Sequence, residues 1–163
     1  MNVREFIRSG IGTVPYFETI SLTIESMDKG GSQLRISSAR KHKNLWGTVH
    51  GGVIASLADA ACSASIFPHL KDDEMIMTAG LQIHYFAPVK SGDLLGKGRF
   101  IRRGGRLAYA EAEIFDESSQ LIAKGNASFA VKKGNEHVRA IVGTHVDDIG
   151  NDHNPGVVNT YSQ

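Results

Sequence analysis

The stretch 44–61 constrains the fold of this chain more than any other part of it. A loop that ends at Gly51 and Gly52 leads into a predicted helix, which runs to about Phe67 before Pro68 ends the pattern. Alanine, serine, valine, isoleucine and leucine make up almost all of this helix, so we expect it to be buried on nearly all sides. Its many small side chains let neighbouring backbone come close around much of its circumference, as a sheet curled around the helix would.

Six segments with strand-like patterns flank this helix, two before it and four after it. They are residues 19–27, 33–37, 75–87, 94–103, 106–115 and 121–131. Turn sequences separate them, so consecutive strands can pair as antiparallel neighbours. Ala108, Ala110 and Ala112 share one strand face, opposite Glu111 and Glu113, which suits a sheet lying tightly on a helix of small residues. The prediction is an α+β domain in which a six-stranded antiparallel sheet wraps around one long central helix.

Length and composition are those of one ordinary globular domain. The chain has 163 residues, of which 41% are hydrophobic, and a formal net charge of +1, so neither nucleic acid nor a membrane is indicated as a partner. No signal-peptide pattern is present and no segment reaches the roughly 18 apolar residues that span a bilayer, which favours a cytoplasmic location. We expect an N-terminal segment at 1–15 with a short surface helix, the domain at 16–133, and a tail at 134–163 without a core of its own.

The metal-binding and nucleophile motifs that can be recognised by spacing are missing from the sequence. Cys62 is the single cysteine, and its place in the apolar helix favours a small hydrophobic role over a reactive thiol. The seven histidines show no HExxH pairing and have no cysteine companions, so we do not expect a metal site.

Asp59 is the anomaly of the central helix. An unpaired carboxylate in this setting loses several kcal/mol to desolvation, so Asp59 is either hydrogen-bonded for structural reasons or kept for chemistry. The free backbone N–H groups at Gly51 and Gly52 could polarise a carbonyl, although paired glycines also make a simple tight turn. Eight helical residues separate Gly51 from Asp59 by roughly 12 Å, so a site that uses both groups needs a second subunit.

Two further groups have an open role at this stage. His50 could be a general base, but with Asn44 nearby we favour a role in organising the loop. Arg102, Arg103 and Arg106 flank a Gly-Gly turn, where they could form a phosphate-binding rim or serve only as solubilising surface charges.

The residues in and after the central helix resemble those of a known family. They are Asn44-x-x-Gly47-Thr48-x-His50-Gly51-Gly52, Leu57-Ala58-Asp59-x-Ala61 and Leu81-Gln82-Ile83-His84-Tyr85-x-x-Pro88. This pattern, together with the basic hairpin, is similar to that of the hotdog-fold thioesterases of the phenylacetyl-CoA (PaaI-like) group, over about residues 16–131. The resemblance implies a hotdog fold and hydrolysis of acyl-CoA thioesters with neither a metal nor an organic cofactor. It also implies a homodimer with two sites at its interface, commonly paired into a homotetramer.

The resemblance also implies roles for individual residues. Asp59 corresponds to the carboxylate that attacks the thioester or activates water, and Gly51 to the backbone N–H that polarises its carbonyl. Asn44 and His50 correspond to loop residues of the same site, and Thr78 to a hydroxyl that holds water or the carboxylate. Two other readings stay open: a hotdog hydratase or dehydratase acting on acyl thioesters, and a non-catalytic acyl-CoA or lipid-binding protein.

Overall fold

The computed structural model describes residues 14–71 and 73–133, which contain two α-helices and six β-strands. The elements are α1 (Pro15–Thr19), β1 (Leu22–Asp28), β2 (Gly31–Ile36), α2 (Gly51–Ile66), β3 (Glu74–Tyr85), β4 (Leu94–Arg103), β5 (Leu107–Asp116) and β6 (Leu121–Lys133). Short 3-10 helices at Arg40–His42 and Phe67–His69 lie on either side of α2. The short surface helix that was predicted within the N-terminal segment falls outside the described residues. The predicted tail at 134–163 also lies outside them.

All six strands form one antiparallel sheet in the order β1-β2-β4-β5-β6-β3. Strands β4, β5 and β6 pair consecutively, as their turn sequences predict. Strands β3 and β4 do not pair, because β3 crosses to the far edge and pairs with β6. The two outer strands are therefore β1 and β3, and the sheet curls around α2. This is the hotdog arrangement that the resemblance implies.

Close packing of α2 against the middle of the sheet sets the distance between the helix backbone and the sheet backbone. A Cβ atom added to Gly98 of β4 would lie 2.1 Å from the Ala61 carbonyl oxygen of α2. The Ser32 hydroxyl donates to the same carbonyl at 2.8 Å. On β5 the predicted alanine face is fully buried, with Ala110 at 0% exposure. Small residues on both sides therefore let the helix backbone approach the sheet backbone, as the helix composition predicts.

A bulge in β3 decides which of its side chains face the helix. The pairing with β6 shifts register between Thr78 and Gly80, so Ala79 is the extra residue. Side chains alternate between the two faces of a strand, and one extra residue reverses the alternation beyond it. Thr78 and Tyr85, seven residues apart, consequently both reach α2.

The beginning of the domain differs from the prediction. Residues 19–21 were expected in the first strand, but Thr19 ends α1 and β1 starts at Leu22. Pro15 occupies the first turn of α1, where its fixed φ favours a helix, and Ser21 then takes a φ of 53° that breaks the alternating pattern.

The expectation that no segment is long and apolar enough to span a bilayer is also corrected. Residues Gly51–His69 are long and apolar enough to cross a membrane by length and composition alone. In the structure this segment is the core helix of the sheet, with Leu57, Ala58 and Ala61 completely buried. Its apolar character is therefore explained by the fold.

The packing predicts the effect of one added methyl group. We expect Gly98→Ala to lower the free energy of unfolding by about 3 kcal/mol, because the new Cβ would overlap backbone that cannot rotate away. Gly105→Ala is the matched control, because a Cβ there meets nothing within 4 Å, and we expect a change within about 0.5 kcal/mol. Urea unfolding measures both. Equal stability of the two variants would contradict the close packing.

Candidate active site

Asp59 lies half-buried on the one face of α2 that the sheet does not cover. The Thr78 hydroxyl of β3 reaches both of its carboxylate oxygens, at 3.1 Å and 3.3 Å. Burial raises the pKa of Asp59 above its ordinary value, and the hydrogen bond from Thr78 lowers it by a smaller amount. Asp59 therefore has a fixed orientation and a carboxylate more basic than one in water.

The first turn of α2 presents one backbone donor. His50 is the N-cap of the helix, and its Nδ1 accepts a hydrogen bond of 2.9 Å from the Gly52 N–H. Among the described residues, no group accepts a hydrogen bond from the Gly51 N–H. Gly52 is thus used by the cap, whereas the Gly51 amide remains available at the positive end of the helix dipole.

The opposite side of Gly51 is held by strand β3. The Tyr85 hydroxyl donates to the Gly51 carbonyl oxygen at 2.9 Å, and its ring would lie 3.4 Å from a Cβ added at Gly51. The edge strand thus holds α2 at two places, at Asp59 through Thr78 and at Gly51 through Tyr85.

Asn44 closes the loop before the helix. Its side-chain oxygen accepts hydrogen bonds from the backbone N–H groups of Trp46 and Thr48, and its amide nitrogen donates to the Thr48 hydroxyl. The loop presents Leu45 and Trp46 to solvent, with exposures of 97% and 84%. Asn44 is therefore a loop-forming residue by its contacts, and two large apolar side chains project from the loop that it forms.

The three arginines of the β4–β5 hairpin have different surroundings. Arg103 donates two hydrogen bonds to Glu74, at 2.6 Å and 2.7 Å, and holds the pKa of that carboxyl at about 2. Arg102 and Arg106 have no ion pair with any described residue, and both are exposed beside the turn. Two of the three predicted phosphate contacts are thus free to meet a ligand, whereas Arg103 is held by Glu74.

The remaining reactive groups are placed for structural roles. Cys62 is completely buried, and burial, with smaller effects from Asp59 and Glu111, raises its pKa to about 12. Within residues 14–71 and 73–133, no three His, Cys, Asp or Glu side chains cluster in a way that could hold a metal ion.

The structure therefore groups the predicted site residues into three sets. Asp59 and Thr78 form one, the hairpin arginines form another, and Asn44, His50, Gly51 and Gly52 form the third. Sequence reasoning gave no role in the site to Tyr85, although it stands in the family pattern, or to Ser63. Ser63 lies one helical turn beyond Asp59 on the same face, and its i+4 spacing was the available signal. Tyr85 had no such signal, because its contact depends on the bulge in β3.

Comparison with known proteins identifies the family. The model of the thioesterase superfamily matches residues 46–123. A "Putative esterase" of Saccharolobus solfataricus is 32% identical over 117 residues, which are 71% of this chain and 76% of that protein. A medium/long-chain acyl-CoA thioesterase of Salmonella typhimurium is 26% identical over 133 residues, covering 72% of this chain and 86% of that protein.

Solved structures show the same fold. A phenylacetic acid degradation-related protein from Ralstonia eutropha superposes with a TM-score of 0.71 at 21% identity, covering 78% of this chain and 97% of that one. The family match includes Gly51, Asp59 and Thr78, and the Saccharolobus relative is similar over most of its length. The chain belongs to the thioesterase superfamily and has the hotdog fold.

Proposed function

We propose that this protein hydrolyses acyl-CoA thioesters, with Asp59 of one subunit and the Gly51 amide of a second subunit acting on the same thioester. The observation that carries the proposal is the oriented, half-buried carboxylate of Asp59, whose raised pKa suits a base or a nucleophile. Membership of the thioesterase superfamily and the similarity to the Salmonella acyl-CoA thioesterase support the reaction class.

The chemistry needs few groups. The Asp59 carboxylate takes a proton from a water molecule, whose oxygen adds to the thioester carbonyl carbon, or the carboxylate adds to that carbon itself. The Gly51 N–H stabilises the negative charge that develops on the carbonyl oxygen. The C–S bond then breaks. In the first route the free acid is released, and the proton held by Asp59 passes to the CoA thiolate. In the second route an acyl–Asp59 anhydride remains, and a water molecule hydrolyses it to the free acid and the Asp59 carboxylate, while the proton lost by that water is taken up by the thiolate.

The need for two subunits follows from helix length. Gly51 and Asp59 are separated along α2 by about 12 Å, which is too far for both groups to reach one carbonyl. A second copy of the chain can supply the missing group to each site, so that two equivalent sites form in a dimer.

Strand β3 is the surface best suited to form that dimer. It is an outer strand of the sheet, and it exposes large apolar side chains, among them Met77 and Leu81. Two β3 strands that pair antiparallel about a two-fold axis near Leu81 would place the Thr78 end of one against the Tyr85 end of the other. Since Thr78 binds Asp59 and Tyr85 binds Gly51, this pairing would bring Asp59 of each subunit toward Gly51 of its partner.

The same dimer would cover other exposed groups. Leu45 and Trp46 project from the loop just before Gly51, and a partner subunit near Gly51 would bury part of their surface. Pairing of such dimers into a tetramer remains an expectation from the family resemblance.

Two single variants test the proposed chemistry before they are combined. We expect Asp59→Asn to reduce kcat by at least about 100-fold, since it removes the base or nucleophile without changing side-chain shape. We expect a large loss also from Gly51→Pro, because proline lacks the N–H donor yet fits the first turn of a helix. Gly51→Ala keeps the N–H and is the matched control. Release of thiol from acyl-CoA measures all three.

Mixing the two inactive chains tests the shared site. A heterodimer of Asp59→Asn and Gly51→Pro chains contains one site with both groups intact, so we expect activity up to about half that of the native dimer. Purified heterodimers without activity would contradict the shared site. Near-native activity of Asp59→Asn itself would contradict the proposed chemistry, and saturable binding of acyl-CoA without thiol release would indicate a binding protein.

The second prediction concerns Thr78 and pH. Thr78→Val removes the hydrogen bond that lowers the pKa of Asp59, so that pKa should rise further. Because the reaction requires ionised Asp59, the acid limb of kcat/KM should move to higher pH, while the rate well above that limb should change by less than about tenfold. Thr78→Ser keeps a hydroxyl and should leave the limb in place. An unmoved limb in Thr78→Val would show that the hydroxyl does not tune Asp59.

The third prediction concerns the hairpin. We expect Arg102→Ala or Arg106→Ala to raise KM for acyl-CoA about 5- to 150-fold with little change in kcat, because phosphate contacts hold the nucleotide equally in the ground and transition states. That range corresponds to about 1–3 kcal/mol. Arg103→Ala should instead lower stability, because Glu74 loses its partner. The matched substrate is a truncated thioester without the nucleotide. If Arg102→Ala and Arg106→Ala raise KM for this thioester as much as they raise KM for acyl-CoA, the phosphate rim is ruled out.

A further inference from the structure

A large cavity lies between the two outer strands of the sheet, over the face of α2 that carries Asp59. Its volume is about 960 Å³, near the upper end of the range for ligand pockets. Asp59 and Thr78 form part of its wall. Apolar side chains line the cavity from several elements, among them Phe17 of α1, Leu22 and Ile24 of β1, Ala60 of α2, Ile76 of β3 and Phe129 of β6.

Helix α1 completes this cavity on one side. The Tyr16 hydroxyl is hydrogen-bonded to the Ser56 hydroxyl of α2 at 2.7 Å, and Phe17 contributes to the cavity wall. Ile24 of β1 pairs with the buried Leu34, which places its side chain on the helix side of the sheet, yet it keeps 37% exposure. Ile24 therefore remains open to the cavity, where a ligand could cover it.

The charges around the cavity have one sign. The ionisable side chains among its lining residues are the carboxylates Glu18, Glu25 and Asp59, and none of those lining residues is Lys, Arg or His. Arg35 pairs with Glu25, whereas Glu18 has no ion pair with any described residue. A negatively charged group that entered the cavity would lose water and meet the carboxylates of Glu18 and Asp59, with no Lys, Arg or His among the lining residues to pair with it.

We propose that this cavity binds the acyl group of the substrate and selects uncharged, apolar acyl chains over chains that end in a carboxylate. The inference rests on the proposed function, because Asp59 would lie beside the thioester at one wall of the cavity. The phosphates of CoA are excluded from the cavity by the same charges, and the exposed arginines Arg102 and Arg106 offer them a separate place. Two effects produce this selectivity: the apolar lining favours methylene groups, and the carboxylates disfavour an anion.

The experiment compares octanoyl-CoA with the ω-carboxy thioester of the same chain length. We expect the native protein to favour octanoyl-CoA by at least about 100-fold in kcat/KM. Ile24→Lys places a cation in the cavity, with its methylene stem still covering the wall, and should reduce this preference at least about tenfold. Glu18→Gln should reduce it in the same direction without any change in side-chain size.

The matched control adds the same charge outside the cavity. Gln33 of β2 is exposed between the buried residues Ser32 and Leu34, so it faces the opposite side of the sheet. Gln33→Lys should leave the preference within about twofold of the native value, because exposed charges at a distance are screened by salt. An equal preference of the native protein for both thioesters would overturn the inference, as would equal effects of Ile24→Lys and Gln33→Lys.

Binding distinguishes a failure of this inference from a failure of the proposed function. Non-hydrolysable thioether analogues of the two substrates are titrated against the native protein in parallel. Selective binding of the octyl analogue, with no thiol released from either thioester, would overturn hydrolysis and support the cavity assignment. Thiol release with equal binding of the two analogues would overturn the cavity assignment and support hydrolysis.

Discussion

The contact on which the rest of the structure depends is the close approach of α2 to strands β2 and β4. Gly98 faces the carbonyl of Ala61 without a side chain between them, and Ser32 donates a hydrogen bond to that same carbonyl. Because α2 lies so close to the middle strands, the sheet curls around the helix. The outer strands of the sheet, β1 and β3, therefore lie on either side of the helix face that the sheet does not cover. That face carries Asp59. Tight packing in the middle of the sheet therefore produces the cavity at its edges.

Strand β3 converts this scaffold into a candidate site through its bulge. Without the bulge at Ala79, Thr78 and Tyr85 are seven positions apart in a regular strand and would point to its opposite faces. With it, one strand orients the carboxylate at Asp59 and supports the first turn of the helix at Gly51. Bulges next to functional groups are common, because they redirect a side chain without breaking the sheet. The same strand is one of the two outer strands, so the groups of the candidate site and the surface proposed for a second subunit lie on one element.

The sequence predicted the α+β class, the six strands and the central helix, since each depends on local periodicity and turn residues. Helix α2 begins at Gly51 as expected, and the alanine face of β5 is buried as expected. The helix at Pro15–Thr19 was missed, because an alternating pattern continued through Thr19 and concealed its end. The pairing of β3 with β6 and the bulge at Ala79 were also missed, because strand order and register depend on contacts distant in sequence.

The same division applies to the site. Asp59 could be singled out because a carboxylate is rare in a helix of small apolar residues, whereas its partner Thr78 was indicated only by family resemblance. The different roles of the hairpin arginines could not be read from the sequence, since only the fold shows that Glu74 lies beside Arg103. Spacing alone predicts that two groups lie on one helix face. It does not predict which groups on different strands neutralise one another.

Two carboxylates of this domain have pKa values shifted in opposite directions. Glu74 has a pKa lowered to about 2 by Arg103, so its contribution to stability is present above the pKa of the unfolded chain and is lost as the pH falls toward 2. Asp59 has a raised pKa, so its contribution is present at pH values below the unfolded pKa and is lost as the pH rises through the folded value. At neutral pH the ionised Asp59 therefore opposes folding, and the hydrogen bond from Thr78 offsets only part of this effect. A group whose charged form is disfavoured by its own surroundings is difficult to explain by stability, and this argues for a role of Asp59 in chemistry.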